Sequence, residues 1–506
     1  MVVIFNFGGQ YAHLIARRVR ELGIRSELIS PHEKIANIKK LKPQAVIFSG
    51  SPYSCYDKNA PKANPEIYKL NIPILGICYG HQLMAFQLGG QVLSKRNKQF
   101  GKEMLKIKKS KIFEGLKPYQ NVWFSHGDQV NKVPEGFKII AASKNAQVAA
   151  MEDPARNFYG IQFHAEVAHT PKGMKIIENF LYKIARCRVD WNLGKVTKII
   201  LEKLKEEITD NKVIMAISGG VDSLVAGALL KKAIGKNLYL ISIDTGFLRL
   251  NEVEEIKNIV SASKLGNLKI INARKSFLDL LKNVTNPEEK RQKIAKHYFS
   301  IFEDEAKKIG NLKYLAQGTI YPDRVESAST SKHADKIKSH HNVTLPRGLK
   351  LKIIEPLADF YKDEVRKVGI KLGIKKIFLN RHPFPGPGLA IRILGEVTPD
   401  RLAILKEADN IFINELKNAR IYNKVGQALA ALLPVKSVGV MGDARTYSYI
   451  IALRSVDTSD FMTADWSKIP QQILERISTR IVNEVRGVNR VVYDITQKPP
   501  ATIEYE

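Results

Sequence analysis

The stretch KVIMAISGGVDSLVAGALLKKAIG, residues 212–235, places a glycine pair between a short apolar run and a helix-forming segment. KVIMAIS reads as a buried strand, and a second apolar run, LYLISIDTG (238–246), follows the helix. Strand, helix and strand in this order form a βαβ unit, which belongs to a parallel sheet with helices on its faces. At the first turn, the successive N–H groups of Ser218, Gly219, Gly220 and Val221 make a nest at the positive end of a helix, followed by Ser223 in SGGVDS. Such a nest receives phosphate. The lysine of the G-x-x-x-x-G-K-[ST] loop is absent, so the arrangement for γ-phosphate transfer is missing. Asp222 instead sets a carboxylate beside the phosphates, which is tolerable only with Mg²⁺ between them. The site suits departure of pyrophosphate.

Working outward, 506 residues suggest about three domains at the usual domain size. With 44% hydrophobic and 26% charged residues the composition is globular. Lysine and arginine number 80 against 50 acidic residues, a formal charge of +30. That favours anionic partners, but the cations are spread along the whole chain, so solvated helix faces account for them and no nucleic acid partner is expected. The three cysteines, Cys55, Cys78 and Cys187, form no CxxC pair and suggest neither a disulfide framework nor a thiolate zinc site. No basic leader precedes MVVIFNFGGQ, and no apolar run reaches the ~18 residues that span a bilayer. The expectation is a soluble cytoplasmic protein.

Three blocks follow along the chain. Residues 1–188 alternate apolar runs (VVIFNF, QAVIFSG, IPILGI) with helical periods, an α/β pattern. Residues 189–381 hold the phosphate-binding unit, a second doubly wound α/β block. RHPFPGPG (381–388) breaks regular structure and marks a junction. Residues 382–506 then read as strand 389–397, helix 399–416, strands 435–442 and 447–456, helix 470–485 and strand 490–496, a β-α-β-β-α-β order for a small α+β block. So few helices leave a sheet face uncovered, which implies pairing with a second copy.

In the first block, IPILGICYGHQL (72–83) ends a strand at Cys78, with Gly76 and Gly80 two residues to either side and a helix following. This is the strand-turn-helix elbow of G-x-S-x-G hydrolases with sulfur in place of oxygen, and the helix amino terminus favours the thiolate. FYGIQFHAE (158–166) supplies His164 as base and Glu166 as the carboxylate that orients it.

Cys78, His164 and Glu166 in this order resemble the class I glutamine amidotransferases, which release ammonia from the glutamine side chain. The resemblance implies an oxyanion hole and glutamine site at Gly50, Ser51, Tyr79 and Gln82, with Ser125–Asp128 nearby. That family usually has glycine at position 51 and proline at 165, where this chain has Ser51 and Ala165. SGGVDS resembles the PP-loop ATP pyrophosphatases, which adenylate a carbonyl oxygen and release pyrophosphate; Asp244 and Gly246 would then lie near the adenosine. Across the whole chain, QGTIYPDRVES, IKSHHN, RHPFPGPGLAIR, SVGVMGDARTY and KPPATIEYE resemble the GMP synthetases. That implies glutamine, ATP and XMP as substrates, Mg²⁺, and a homodimer built through the last block. It also implies ATP contacts from Asp323, Glu326, Lys338 and Asp363, and XMP contacts from Arg291, Gln427, Arg490, Lys498, Ile503 and Glu504.

Rival readings differ at identifiable residues. A glutamine-dependent NAD synthetase carries a different, nitrilase-like glutaminase, which Cys78 with His164 argues against. A PP-loop RNA-modifying enzyme would explain the charge but often needs further catalytic cysteines. A regulatory nucleotide-binding protein without catalysis would not need Cys78, His164, Glu166 and Asp222 together. An ammonia-dependent synthetase with an impaired glutaminase rests on Ser51 and Ala165.

Overall fold

The computed structural model describes residues 1–329, 351–441, 444–458, 461 and 463–506, without the side chains of 95–98, 326–329 and 441. It divides into two compact units, Met1–Asn192 and Leu193–Glu506.

The first unit is built on a nine-stranded sheet. Its strands are β1 (Val2–Phe5), β2 (Ser26–Ile29), β3 (Ala45–Phe48), β4 (Ile74–Ile77), β5 (Gln91–Ile107), β6 (Tyr119–Lys132), β7 (Lys138–Ser143), β8 (Ala150–Asp153) and β9 (Phe158–Ile161). Their order is β2-β1-β3-β4-β9-β8-β7-β5-β6. The sequences VVIF, AVIF, ILGI and FYGI of β1, β3, β4 and β9 are buried at every position and pair in parallel. An apolar run without alternation is what a strand covered on both faces requires. β4 lies in the interior of the sheet, so its carboxyl end opens where α/β sheets place their ligands.

The second unit holds two sheets. β10 (Lys212–Ala216), β11 (Leu238–Asp244), β12 (Leu268–Asn272), β13 (Leu312–Ala316) and β14 (Lys352–Ile354) pair in parallel in the order β12-β11-β10-β13-β14. β15 (Gln427–Met441), β16 (Ala444–Asp457), β17 (Asp465–Trp466) and β18 (Val488–Asp494) form the other, with β16 pairing antiparallel to β15 and parallel to β18. Helices Pro399–Asn418 and Gln471–Glu484 pack on one face of this sheet. One hydrophobic core joins the two sheets, linking Ile214, Ile241 and Phe277 to Leu389, Leu405, Ile451 and Ile477. The doubly wound and α+β classes expected from the sequence are both present.

One element is corrected. Residues 389–397, expected as a strand, form a 3₁₀ turn over Gly388–Arg392 and a single parallel bridge from Ile393 to Leu432. Leu389 to Ile393 are all buried in succession, and a run of that kind is equally apolar in a turn wedged into a core. The ladder begins instead at Gln427, in a segment of small residues (QALAALL) that carries little strand signal. Among the described residues no helix is long and apolar enough to cross a membrane.

Candidate functional site

Cys78 stands between β4 and the helix Tyr79–Gln87 with φ 54° and ψ −107°, a backbone conformation unusual for a side chain other than glycine. Its N–H donates to the Ile161 carbonyl at 2.8 Å, which ties the elbow to β9. A β-carbon at Gly76 would lie 2.5 Å from the Gly80 carbonyl oxygen, so the tight turn admits only glycine there. Cys78 is buried, and its Sγ lies 3.7 Å from the Ser125 carbonyl of β6.

His164 lies beyond the end of β9, with its N–H donating to the Trp123 carbonyl at 2.9 Å. Its Nδ1 faces Glu166 Oε1 at 2.7 Å. Burial by itself would lower the imidazole; Glu166 and Cys78 outweigh it and push His164 up to about 10. The structure thus brings together the three groups expected for glutamine hydrolysis. A β-carbon at Gly50 would meet His164 Cε1 at 3.3 Å and Cys78 Cβ at 3.9 Å, placing Gly50 against the reacting pair. Ser51 donates its hydroxyl to the Phe7 carbonyl at 2.8 Å. Tyr79 opens the helix after the elbow, its hydroxyl spent on the Pro61 carbonyl at 2.6 Å. Gln82 donates to the Asp128 carbonyl at 2.7 Å and to Gln162 Oε1 at 3.3 Å, so its amide braces β6.

In the second unit, Gly220 caps the helix Val221–Ile234 and Gly219 takes φ +75°. The Gly220 N–H donates to Ser218 Oγ at 3.3 Å, and Ser223 Oγ donates to the Gly220 carbonyl at 3.0 Å. The loop opens into a cavity of about 470 Å³, lined by Ser218–Ser223, Arg291, Asp323, Lys362 and Arg381. Asp222 Oδ1 is buried and has no hydrogen-bond partner among the described residues, while Oδ2 lies 3.3 Å from Lys362 Nζ. A buried carboxylate oxygen without a donor fits a hard cation that completes its shell with phosphate oxygens and water. Among the described residues no cluster of three metal-ligating side chains exists.

Of the other expected ATP residues, Asp323 lines this cavity, whereas Asp244, Gly246 and Asp363 do not. Asp244 accepts from the Gly246 N–H at 3.0 Å and pairs with Arg274 at 2.7 Å; neither Asp244 nor Gly246 reaches the cavity wall. Asp323 accepts from the Ile320 N–H at 3.1 Å at the start of the helix Tyr321–Ser329. Asp363 lies in the first turn of Lys362–Lys371, 3.8 Å from Lys367. The Glu326 side chain and Lys338 lie outside the described residues.

The expected XMP residues divide similarly. Gln427 donates to Glu504 Oε1 at 2.8 Å, and the fully buried Arg392 grips both oxygens of Glu504 at 2.8 and 2.9 Å. Burial by itself would raise Glu504, but Arg392 holds it below the usual carboxylate range. Arg291 reaches the terminal residue through the Glu506 main-chain oxygen, and Ile503 is buried beside Leu429 and Ala452. Lys498 donates to the Phe461 carbonyl at 2.7 Å. Arg490 is exposed on β18, and among the described residues no hydrogen bond joins it to this cluster. Lys362, Arg381 and Arg392 were not found from sequence. The only available signal was that Arg381 and Arg392 flank the proline-glycine junction.

A thiol elbow with its histidine and carboxylate on one sheet, and a lysine-free phosphate loop on another, define a glutamine-fed ligase that spends ATP. The comparisons bear this out in each block. The description "Glutamine amidotransferase class-I" matches residues 3–184, "NAD synthase" residues 193–297, and "GMP synthase C terminal domain" residues 414–505. Curated proteins named glutamine-hydrolysing GMP synthase match the entire chain. The one from Carboxydothermus hydrogenoformans is 51% identical, that from Thermosipho melanesiensis 50% and that from Aquifex aeolicus 49%, each over 100% of this chain and 99% of its own length. The chain belongs to the glutamine-hydrolysing GMP synthase family.

Proposed function

We propose that Cys78, His164 and Glu166 generate the ammonia and that the Ser218–Ser223 loop activates its acceptor. The observation that carries this is the buried Cys78–His164–Glu166 array, with 2.7 Å between His164 and Glu166. The Cys78 thiolate attacks the side-chain amide carbon of glutamine, and the N–H groups around Ser51 and Tyr79 face the oxyanion that forms. His164, charged by transfer of the Sγ proton, returns it to the departing nitrogen, and Glu166 stabilises the imidazolium. Water then releases glutamate from the thioester.

In the second unit, the 2-oxo oxygen of XMP attacks the α-phosphorus of ATP, and pyrophosphate leaves against the loop N–H groups. Ammonia adds to the activated carbon, AMP leaves, and GMP results. Asp222 is the residue that would hold Mg²⁺, which when bound neutralises charge on the leaving phosphates. Lys362 stands beside Asp222 and supplies the cation that the loop itself lacks. Arg291, Gln427, Ile503 and Glu504 are assigned to XMP, with Arg392 keeping Glu504 ionised.

This reading keeps three functional blocks, residues 1–188, 189–381 and 382–506, in a cytoplasmic homodimer. Exposed Val438, Val440 and Tyr447 on the β15–β16 ribbon support pairing through the last block.

The test is product analysis with XMP, ATP and Mg²⁺, supplying either glutamine or ammonium. Wild type is expected to form GMP from both, and Cys78→Ala from ammonium alone. Formation of GMP from glutamine by the variant would remove the thiol from the glutaminase. Failure of wild type with glutamine would mark the Ser51 and Ala165 departures as disabling.

A further inference from the structure

RHPFPGPG, residues 381–388, read as a junction in the sequence, yet its first residue touches the phosphate loop. We propose that Arg381 is a positioning residue for ATP, a strut that holds the Gly219 carbonyl back so that the loop N–H groups face the triphosphate. The inference rests on the reading of Ser218–Ser223 as the phosphate cradle.

Arg381 Nη1 donates to the Gly219 carbonyl at 3.1 Å. Its Nη2 donates to Glu252 and, at 2.9 Å, to Glu255, both in the first turn of the helix Glu252–Ala262. Glu252 is buried. A guanidinium presents its donors in a rigid fork, so anchoring one arm on two carboxylates fixes where the other arm points. The same two carboxylates offset its charge, which suits a strut better than a direct phosphate ligand.

The carbonyl of Gly219 and the N–H of Gly220 belong to one trans peptide and point in opposite directions. Pinning the carbonyl therefore aims the Gly220 N–H the other way, toward Ser218 Oγ at 3.3 Å. Gly219 itself imposes no such choice, because at φ +75° glycine moves freely between conformations. A β-carbon there would lie 2.9 Å from Arg381 Nη1, so the glycine also makes room for the strut.

The next residue keeps the strut's base still. His382 donates its N–H to the Tyr422 hydroxyl at 2.9 Å, stacks on that ring at 3.8 Å, and accepts from the Ala428 N–H at 3.2 Å. A guanidinium held from behind by a locked neighbour and two carboxylates is a preorganised part, of the kind on which rates are sensitive to small displacements.

The experiment measures GMP formation and pyrophosphate release by the full chain with ammonium as nitrogen source. It compares Arg381→Met, Arg381→Lys, Glu252→Gln and Asp222→Asn. Arg381→Met is expected to raise the KM for ATP about tenfold or more and to lower kcat, with the KM for XMP unchanged. Arg381→Lys should recover part of the loss, and Glu252→Gln should shift the KM for ATP in the same direction by less. Equal changes in both KM values, or a fall in melting temperature with the KM for ATP unmoved, would overturn the strut. Glu252→Gln keeps the question decidable if Arg381→Met does not fold. Unimpaired pyrophosphate release by Asp222→Asn would sink the cradle reading and the strut with it.

Discussion

A β-carbon on Gly80 would sit 2.4 Å from the Phe48 carbonyl oxygen, so the chain can bend behind Cys78 only because that position has no side chain. Two glycines and a left-handed cysteine bring the thiol beside His164, and the consequence is a proton equilibrium. The imidazole titrates near its ordinary value of 6.5 when unfolded and is pushed up to about 10 when folded. A raised pKa stabilises the fold fully below the unfolded value, and this share is lost as pH rises through the folded one. The stability difference between wild type and His164→Gln should therefore shrink as pH is raised from below 6.5 to above 10, measured by denaturant midpoints. A difference that stays constant across that window would mean that the imidazolium is not the folded form. This triad was legible in the sequence because its geometry is local: the glycines stand two residues from Cys78, and Glu166 stands two from His164. Ser125, whose carbonyl faces the thiol, was placed near the site only by the family resemblance, since sheet pairing and not local spacing brings β6 there.

At the scale of elements, the strand-loop-helix of residues 212–234 folds as its pattern dictates, whereas the C-terminal tail depends on partners more than a hundred residues away. Arg392 lies in the turn misread as a strand, with its side chain fully buried against Glu504 and 3.7 Å from Asp409. Nothing in LAIRILGEV distinguishes a charged residue on a strand's outer face from one sealed in a core. The same limit hid Arg381 and Lys362, which reach the phosphate loop through tertiary contacts alone. Removing one partner of a buried ion pair leaves a charge uncompensated, so Arg392→Met should cost about 3–5 kcal/mol in chemical denaturation. Replacing both partners is far cheaper, and Arg392→Met combined with Glu504→Gln should regain most of that stability. If the double variant is no more stable than the single one, Arg392 is held by its packing and not by Glu504.

For the whole molecule, the +30 charge meets the proposal of a dimer. β15 and β16 continue past the helices that cover them, and there Val438 and Tyr447 face each other as register partners, 58% and 66% exposed, next to Val440 at 74%. Exposed apolar pairs at the end of a ribbon gain most by burial against a second copy, about 25 cal/mol for each Å² removed from water. Two strongly cationic chains repel one another over a distance that salt shortens to about 10 Å at 0.1 M. Association should therefore strengthen as salt is raised, the reverse of what a charge-driven interface would do. Light scattering across a salt series is expected to show wild type as a dimer that tightens with salt. Val438→Glu, which sets a carboxylate in the apolar pair, should be a monomer with its circular dichroism intact. A dimer that persists in Val438→Glu, or one that dissociates as salt rises, would place the interface elsewhere and leave this ribbon as an edge without a partner.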